Sequence, residues 1–437
     1  MMAAAPPPRK LCNISRGSIS AASWRGVNLG GWLVLEQWMS PGLFEACAPG
    51  AVDERSLFEL GGDAAREAVE RFRREFITEH DFRWLREVGR VNAVRLPLGF
   101  WCMDQHARGT PHLSTQSFVD KVFDWAERHG LGVVLDMHAA IGSQNGQHHS
   151  GQCGGIEWLQ GGNRERNLAV LAAWAARWGR RGAFLGLGLG NEVAAPAGCE
   201  SSSSGSSSSS DEEGGLGASG SISRWLAGGL CCSSGSLSSD AEDYWSRVVD
   251  FYAEASQLCR PFMHHDAVLV VDVCWDTRRW KVDDLAAIEG PLLLDYHHYE
   301  CMGDARARPV QQHCRASDLD RALREAPPLP MILGEFSLAL KPRCAGFHDR
   351  EWQRQFFERQ TLLASEHGAG WFFFNYKVAR EGWAHWSYRE GVERGWIPTP
   401  RYKLTGGHDD DSSSTADTKG EGPRQDSFSS DSEVSSG

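Results

Sequence analysis

The chain has 437 residues, 41% hydrophobic and 10% aromatic, enough apolar material for one large core or two medium ones, which excludes disorder over most of its length. Its net charge of −12 is concentrated: residues 199–241 hold five acids and one base, residues 407–437 hold eight acids and two bases, and the remaining body is almost neutral. No basic patch points to nucleic acid, and no apolar run approaches the length of a membrane span.

In chain order, residues 1–23 form an N-terminal extension whose start, "MMAAAPPPRKLCNISRGSIS", lacks the apolar run of a secretory signal. On that reading the protein is cytoplasmic; a start further upstream would make it secreted. Short apolar runs bounded by turn residues then alternate with amphipathic stretches. The runs are "RGVNLGG" (25–31), "NAVRLPLG" (92–99), "LGVVLDMHA" (131–139), "AFLGLGLGNE" (183–192), "AVLVVDVCW" (267–275), "LLLDYHHY" (292–299), "PMILGEFS" (330–337) and "GWFFFNYK" (370–377). Helical spacing links Phe118, Val119, Val122, Phe123 and Ala126 ahead of Gly130. It also links Leu168, Leu171, Trp174 and Trp178; Tyr244, Trp245, Val248, Val249 and Tyr252; and Trp352, Phe356, Phe357 and Leu363.

Two Ser/Gly/Asp-rich segments interrupt this pattern, 199–240 and 406–437, with too little apolar surface to offset ordering entropy. The first is expected to be a disordered insertion on the side where the fourth run ends, the second a disordered acidic tail. Twelve cysteines show no CxxC pairing, which argues against zinc ribbons and thioredoxin-type chemistry and fits buried thiols, with disulfides left open. Eighteen tryptophans suit either core packing or sugar stacking. Trp32, Trp101, Trp158, Trp275, Trp371, Trp383 and Trp386 are expected in the core.

Nearly continuous apolar strands, each followed by a helix, indicate a parallel sheet covered by helices. Eight such units fit an α/β fold of the (β/α)8 TIM-barrel type over residues 24–405, interrupted by 199–240. A doubly wound open sheet is the alternative, although "GVNLGGW" lacks the phosphate-loop spacing that fold would use. Asn28, Arg95, His138, Asn191, Glu192, Asp272, His297, Tyr299, Glu335 and Lys377 all fall at or near the carboxyl ends of the runs, the ends that converge on the mouth of such a barrel. Two of them are carboxylates in similar dress, "GLGNE" and "ILGEF". Cleavage of a glycosidic bond needs one carboxylic acid for the leaving oxygen and a second, ionised carboxylate, so this pair is chemically sufficient.

The blocks "RGVNLGGWLVLEQWMSPGLFE", "FITEHDFRWLREVGRVNAVRLPLGFW", "VVLDMHAAIGSQNGQHHSG", "GLGNE", "DYHHY" and "ILGEFSLAL" resemble glycoside hydrolase family 5, and within it the exo-β-1,3-glucanase (glucan 1,3-β-glucosidase) group. The similarity runs from about residue 24 to 403. It implies a retaining β-glycosidase acting on β-1,3-glucan or related β-glucosides, with Glu192 as acid/base and Glu335 as nucleophile. By the same resemblance Asn191 meets the 2-hydroxyl, Arg95 and Tyr299 contact Glu335, His138 and His297 bind sugar or support the acid/base, and Glu36 and Trp38 hold the non-reducing-end glucose. Where the family reads G-F-D-N-S-G, this chain has Gly146-Gln147-His148-His149-Ser150-Gly151, losing an aromatic wall and an acid. The eighth run reads Phe374-Asn375-Tyr376-Lys377 in place of indole platforms, with Tyr376 counted among the substrate contacts.

A metal site built from "DMHAA", "GQHHSG" and "YHHY" is not expected, because adjacent strand residues such as His297 and His298 face opposite ways. No cofactor is expected, and the protein reads as a monomer. A barrel that binds β-glucan without cleaving it, a transglycosylase and a glycosidase of another linkage preference are the alternative functions.

Overall fold

Eight short strands rich in β-branched and large apolar residues pair in parallel and close on themselves: β1 (Trp24–Asn28), β2 (Ala93–Gly99), β3 (Gly132–Ala139), β4 (Phe184–Gly188), β5 (Val268–Asp272), β6 (Leu292–His298), β7 (Met331–Phe336) and β8 (Gly370–Phe373). Because β8 pairs with both β7 and β1, the sheet has no free edge, and the open doubly wound alternative is excluded. This computed structural model describes residues 14–15, 18–19, 24–196, 239–273, 276–277, 279–302, 310–315, 317–341, 344 and 346–399. Most of the segment 199–240, the tail 406–437, nearly all of the N-terminal extension and Trp275 lie outside the described residues.

Helices cover the outside of the barrel: α1 (Pro41–Cys47), α2 (Glu54–Phe76), α3 (Glu79–Glu87), α4 (Gln116–His129), α5 (Asn163–Trp178), α6 (Ser239–Cys259), α7 (Ser317–Glu325) and α8 (Arg350–His367). The expected apolar faces turn inward as their spacing requires, with Phe118, Val249 and Trp352 half-buried at their margins. In α4 the buried residues are Val119, Val122, Phe123 and Ala126, and Gly130 ends the helix at φ +68°, the left-handed conformation favoured at a helix end. Helix α6 begins at Ser239, so the last two residues of the low-complexity stretch are helical rather than disordered.

Period-two alternation divides each strand between two apolar clusters. Outward-facing residues such as Val94, Leu96, Leu135, Met137 and Leu294 join the helices in the main core. Inward-facing residues, among them Trp24, Val134, Leu185, Val270, Leu293, Ile332 and Phe372, fill the lower lumen as a separate cluster. Further along, the same inward face turns polar: Asn28 on β1, Arg95 on β2, Asp136 on β3, Asp272 on β5 and Asp295 on β6, all buried. Strand pairing levels these positions, with Asn28 opposite Arg95, Asp272 opposite Asp295, and His297 opposite Glu335.

Glycines on the intervening strands leave the room these side chains occupy. A Cβ on Gly188 of β4 would lie 2.8 Å from Oδ1 of Asp136, and one on Gly334 of β7 would lie 1.6 Å from Oδ1 of Asp295. Within "GLGLGNE", Gly188 thus leaves out bulk opposite the Asp136 carboxylate, and Gly186 leaves it out against Val268. Replacing Gly334 by Ala is therefore expected to expel the Asp295 carboxylate and destabilise the fold by about 1–3 kcal/mol, the usual cost of overpacking, read as a lowered urea midpoint at unchanged m. An unchanged midpoint would contradict this close packing.

Candidate active site

Arg95 is the centre of the polar layer. Its Nη1 donates to Asn28 Oδ1 (2.9 Å) and Glu335 Oε1 (2.7 Å), and its Nη2 donates to Asn191 Oδ1 (2.8 Å). The same guanidinium lies 3.2 Å from Asp136 and 3.5 Å from Asp295. Burial works against its charge, yet Asp136, Glu335, Asp295 and Asp272 outweigh it and raise its pKa further above the ordinary range. Asn28 in turn donates to the Gly334 carbonyl at 2.9 Å, closing the ring from β1 to β7.

Glu335, near the end of β7, has both oxygens held: Arg95 donates to Oε1, and the Tyr299 hydroxyl donates to Oε2 at 2.8 Å. Burial, with Glu335 and Glu192 nearby, raises the Tyr299 phenol well above its usual range, so it stays a donor. Glu192 comes from beyond β4. The strand ends at Gly188, four residues short of the run read from sequence, and Glu192 adopts φ +47°, a left-handed conformation that non-glycine residues seldom take. Three bonds brace that turn: Glu192 N–H donates to Asp272 Oδ2 (2.7 Å), Asn191 N–H to the Met137 carbonyl (3.0 Å), and Gln144 Nε2 to the Asn191 carbonyl (2.9 Å).

The two glutamates meet at one histidine. His297 Nδ1 lies 2.8 Å from Glu192 Oε1 and 3.5 Å from Glu335 Oε2, and one atom from each of the three residues falls within 4.8 Å of the others. Burial opposes its charged form, but Glu335, Asp272 and Asp295 raise its pKa well above the ordinary imidazole value. The next residue, His298, faces away towards Glu300, as strand alternation requires. His138 is held by Asp136 (2.8 Å), which overcomes burial to raise its pKa.

Part of this set borders a pocket of about 310 Å³, open solvent included, while Arg95 and His297 lie behind its lining. Glu36, Trp38, His138, Asn191, Glu192, Tyr299 and Glu335 all line it. Glu36 and Trp38 arrive on the loop after β1, where Glu54 accepts from the Leu35 N–H (2.8 Å) and Arg73 ties Glu54 to the Trp32 and Leu33 carbonyls. Trp38 Nε1 donates to Glu36 Oε2 at 2.8 Å. The buried Asn191 Nδ2 has no hydrogen-bond partner among the described residues, leaving a donor for a ligand.

Tyr376 stands apart. Because β8 ends at Phe373, two residues on from Phe374 is no longer the same face. The Tyr376 ring is fully buried, and its hydroxyl donates to Asp81 of α3 at 2.8 Å, as does Lys377 Nζ at 2.9 Å. A buried carboxylate that needs donors draws both side chains away from the mouth. Phe374, Trp386 and Met302 line the cavity instead. Trp386 belongs to an aromatic wall, with ring centres 5.1 Å from both Trp38 and Tyr299; it and the half-buried Trp383 are not interior residues, whereas Trp32, Trp101, Trp158 and Trp371 are buried as expected. His149 was also missed as a site residue, since loops carry no periodicity. Asp136 and Asp295 had a legible signal: "DMH" and "DYH" place an acid and a histidine on one strand face.

No family model matches the chain. It is 28% identical over 417 residues to the probable glucan 1,3-β-glucosidase A of Aspergillus terreus, covering 86% of this chain and 88% of the relative. The protein of the same name from Emericella nidulans is 30% identical over 322 residues, covering 72% and 67%. Among solved structures, rutinosidase from Aspergillus niger aligns with a TM-score of 0.67 at 17% identity over 86% of this chain and 97% of that one, a likeness of fold.

Glu36 carries a pH signature. Burial is the main cause that pushes its carboxyl up to about 7, with Glu335 and Glu192 adding to it against His138 and the Trp38 bond. Between the ordinary glutamate value and about 7 the folded chain keeps a proton that the unfolded chain has released, so this group's contribution to stability falls as pH rises through that window. The urea midpoint of the wild type is expected to drop more steeply between about pH 5 and 7 than that of Glu36→Gln. Parallel curves would contradict the burial of this carboxyl.

Proposed function

The chain belongs to glycoside hydrolase family 5, with the glucan 1,3-β-glucosidases, and on that premise we propose that it removes glucose from β-1,3-glucan or related β-glucosides by double displacement at Glu192 and Glu335. The observation that carries this reading is the closeness of the two carboxylates, which share His297 with oxygens no more than 4.8 Å apart. Retaining glycosidases hold their carboxyl groups roughly 5–5.5 Å apart, whereas inverting ones leave about 6.5–9.5 Å for a water.

Each step then has its residue. Glu335, with a permanent cation on one oxygen and a phenol on the other, attacks the anomeric carbon while Glu192 protonates the departing oxygen. Positive charge develops at the anomeric carbon, and the free Nδ2 of Asn191 donates to the sugar's 2-hydroxyl, a bond that strengthens as it does. Water, deprotonated by Glu192, then attacks the glycosyl ester and releases Glu335. Glu36 and Trp38 border the pocket beside the aromatic wall, which supports binding of a terminal sugar and attack from the chain end.

The test is covalent trapping. A 2-deoxy-2-fluoro β-glucosyl fluoride is expected to inactivate the wild type with the label on Glu335, and Glu335→Gln to lose turnover and labelling together. Glu192→Gln is expected to lose about 10²–10⁴-fold on unactivated glucosides and to be rescued by azide on an activated aryl glucoside. Label on another residue would overturn the assignment, and laminarin bound without release of sugar would favour the binding-only barrel.

A further inference from the structure

His149 lies in the single turn His148–Ser150 of the loop after β3, is 4% exposed, and places Nε2 3.4 Å from Oε2 of Glu192. The loop is braced. Ser143 and Ser150 hydroxyls bond at 2.5 Å, the Gly146 N–H donates to Ser143 Oγ (2.8 Å), and the Cys153 N–H donates to Asp53 Oδ2 (2.7 Å).

Two histidines therefore meet the two oxygens of Glu192, and they differ in charge. His297, facing Glu335, Asp272 and Asp295, is favoured in its doubly protonated form and can only donate, so Oε1 of Glu192 is an acceptor. A proton on Glu192 must then sit on Oε2. His149 has the opposite character: burial, with His148, His138 and His297 close by, lowers its pKa well below the usual value. A neutral ring keeps one nitrogen that accepts.

We propose that His149 is a positioning residue for the acid/base: its neutral Nε2 receives the Oε2–H of Glu192 and holds that proton aimed at the leaving-group side of the cavity. This rests on Glu192 being the acid/base. The 3.4 Å separation is at the far end of hydrogen-bonding range, so the contact holds the proton loosely, which suits a proton that must be released. As the bond from the anomeric carbon to the leaving oxygen breaks, its electron pair stays on that oxygen and the proton moves there from Oε2. His149 neither gains nor loses a proton, and Oε2 is reprotonated by the attacking water.

The experiment compares kcat/KM of the wild type, His149→Phe and His149→Gln on 2,4-dinitrophenyl β-glucoside, whose leaving group departs without a proton, and phenyl β-glucoside, whose leaving group needs one. Phenylalanine fills the ring volume without an acceptor, while glutamine carries an amide oxygen to about the same reach. His149→Phe is expected to lose about tenfold on the phenyl glucoside and less than about threefold on the dinitrophenyl glucoside, with His149→Gln within about threefold of wild type on both. Equal losses on both substrates, or glutamine falling as far as phenylalanine, would overturn the role of His149 while leaving the glycosidase reading intact. A wild type that cleaves neither glucoside would remove both.

Discussion

One buried guanidinium holds the upper barrel together. Arg95 of β2 bonds or pairs with residues from β1, β3, β6 and β7 and with Asn191 beyond β4. Removing one member of a buried ion pair costs about 3–5 kcal/mol, because the carboxylates left behind have exchanged their water for it. The positions of Glu335 and Asn191 are thus consequences of a fold that cannot close around these acids without that cation.

The small residues and the turn beyond β4 follow from the same constraint. Asp136 and Asp295 reach Arg95 because Gly188 and Gly334 present no side chain to them. Asp272, pushed up to about 7 chiefly by burial, accepts the N–H of Glu192 and helps hold that residue in its left-handed conformation. The acid/base candidate is thereby fixed by backbone rather than by its own flexible side chain, and His297 couples it to the partner carboxylate. The geometry of the candidate site is thus set by the fold itself, as preorganised sites are.

Much of this was legible in the amino-acid order. Eight apolar runs with polar residues at their carboxyl ends are the mark of a barrel whose mouth carries a site, and the pairs Asn191-Glu192 and Gly334-Glu335 announced the carboxylates. The readings that failed did so where periodicity stops. Leu189 and Gly190 continue the Gly-Leu alternation yet leave the strand, taking Asn191 and Glu192 with them, and Tyr376 looks in phase with Phe374 although β8 has already ended. His149 and Trp386 sit on loops, where nothing in residue spacing predicts which way a ring points. Arg95 illustrates the remaining limit: its place on a strand was readable, but the five partners it gathers come from as far as 240 residues away in the chain.

The central claim is that two carboxylates bridged by His297 break the bond with retention. Proton NMR of the first sugar released from laminarin, recorded before mutarotation, tests it most directly. The account predicts that the β-anomer appears first and the α-anomer grows in later; an α-anomer formed first would contradict it.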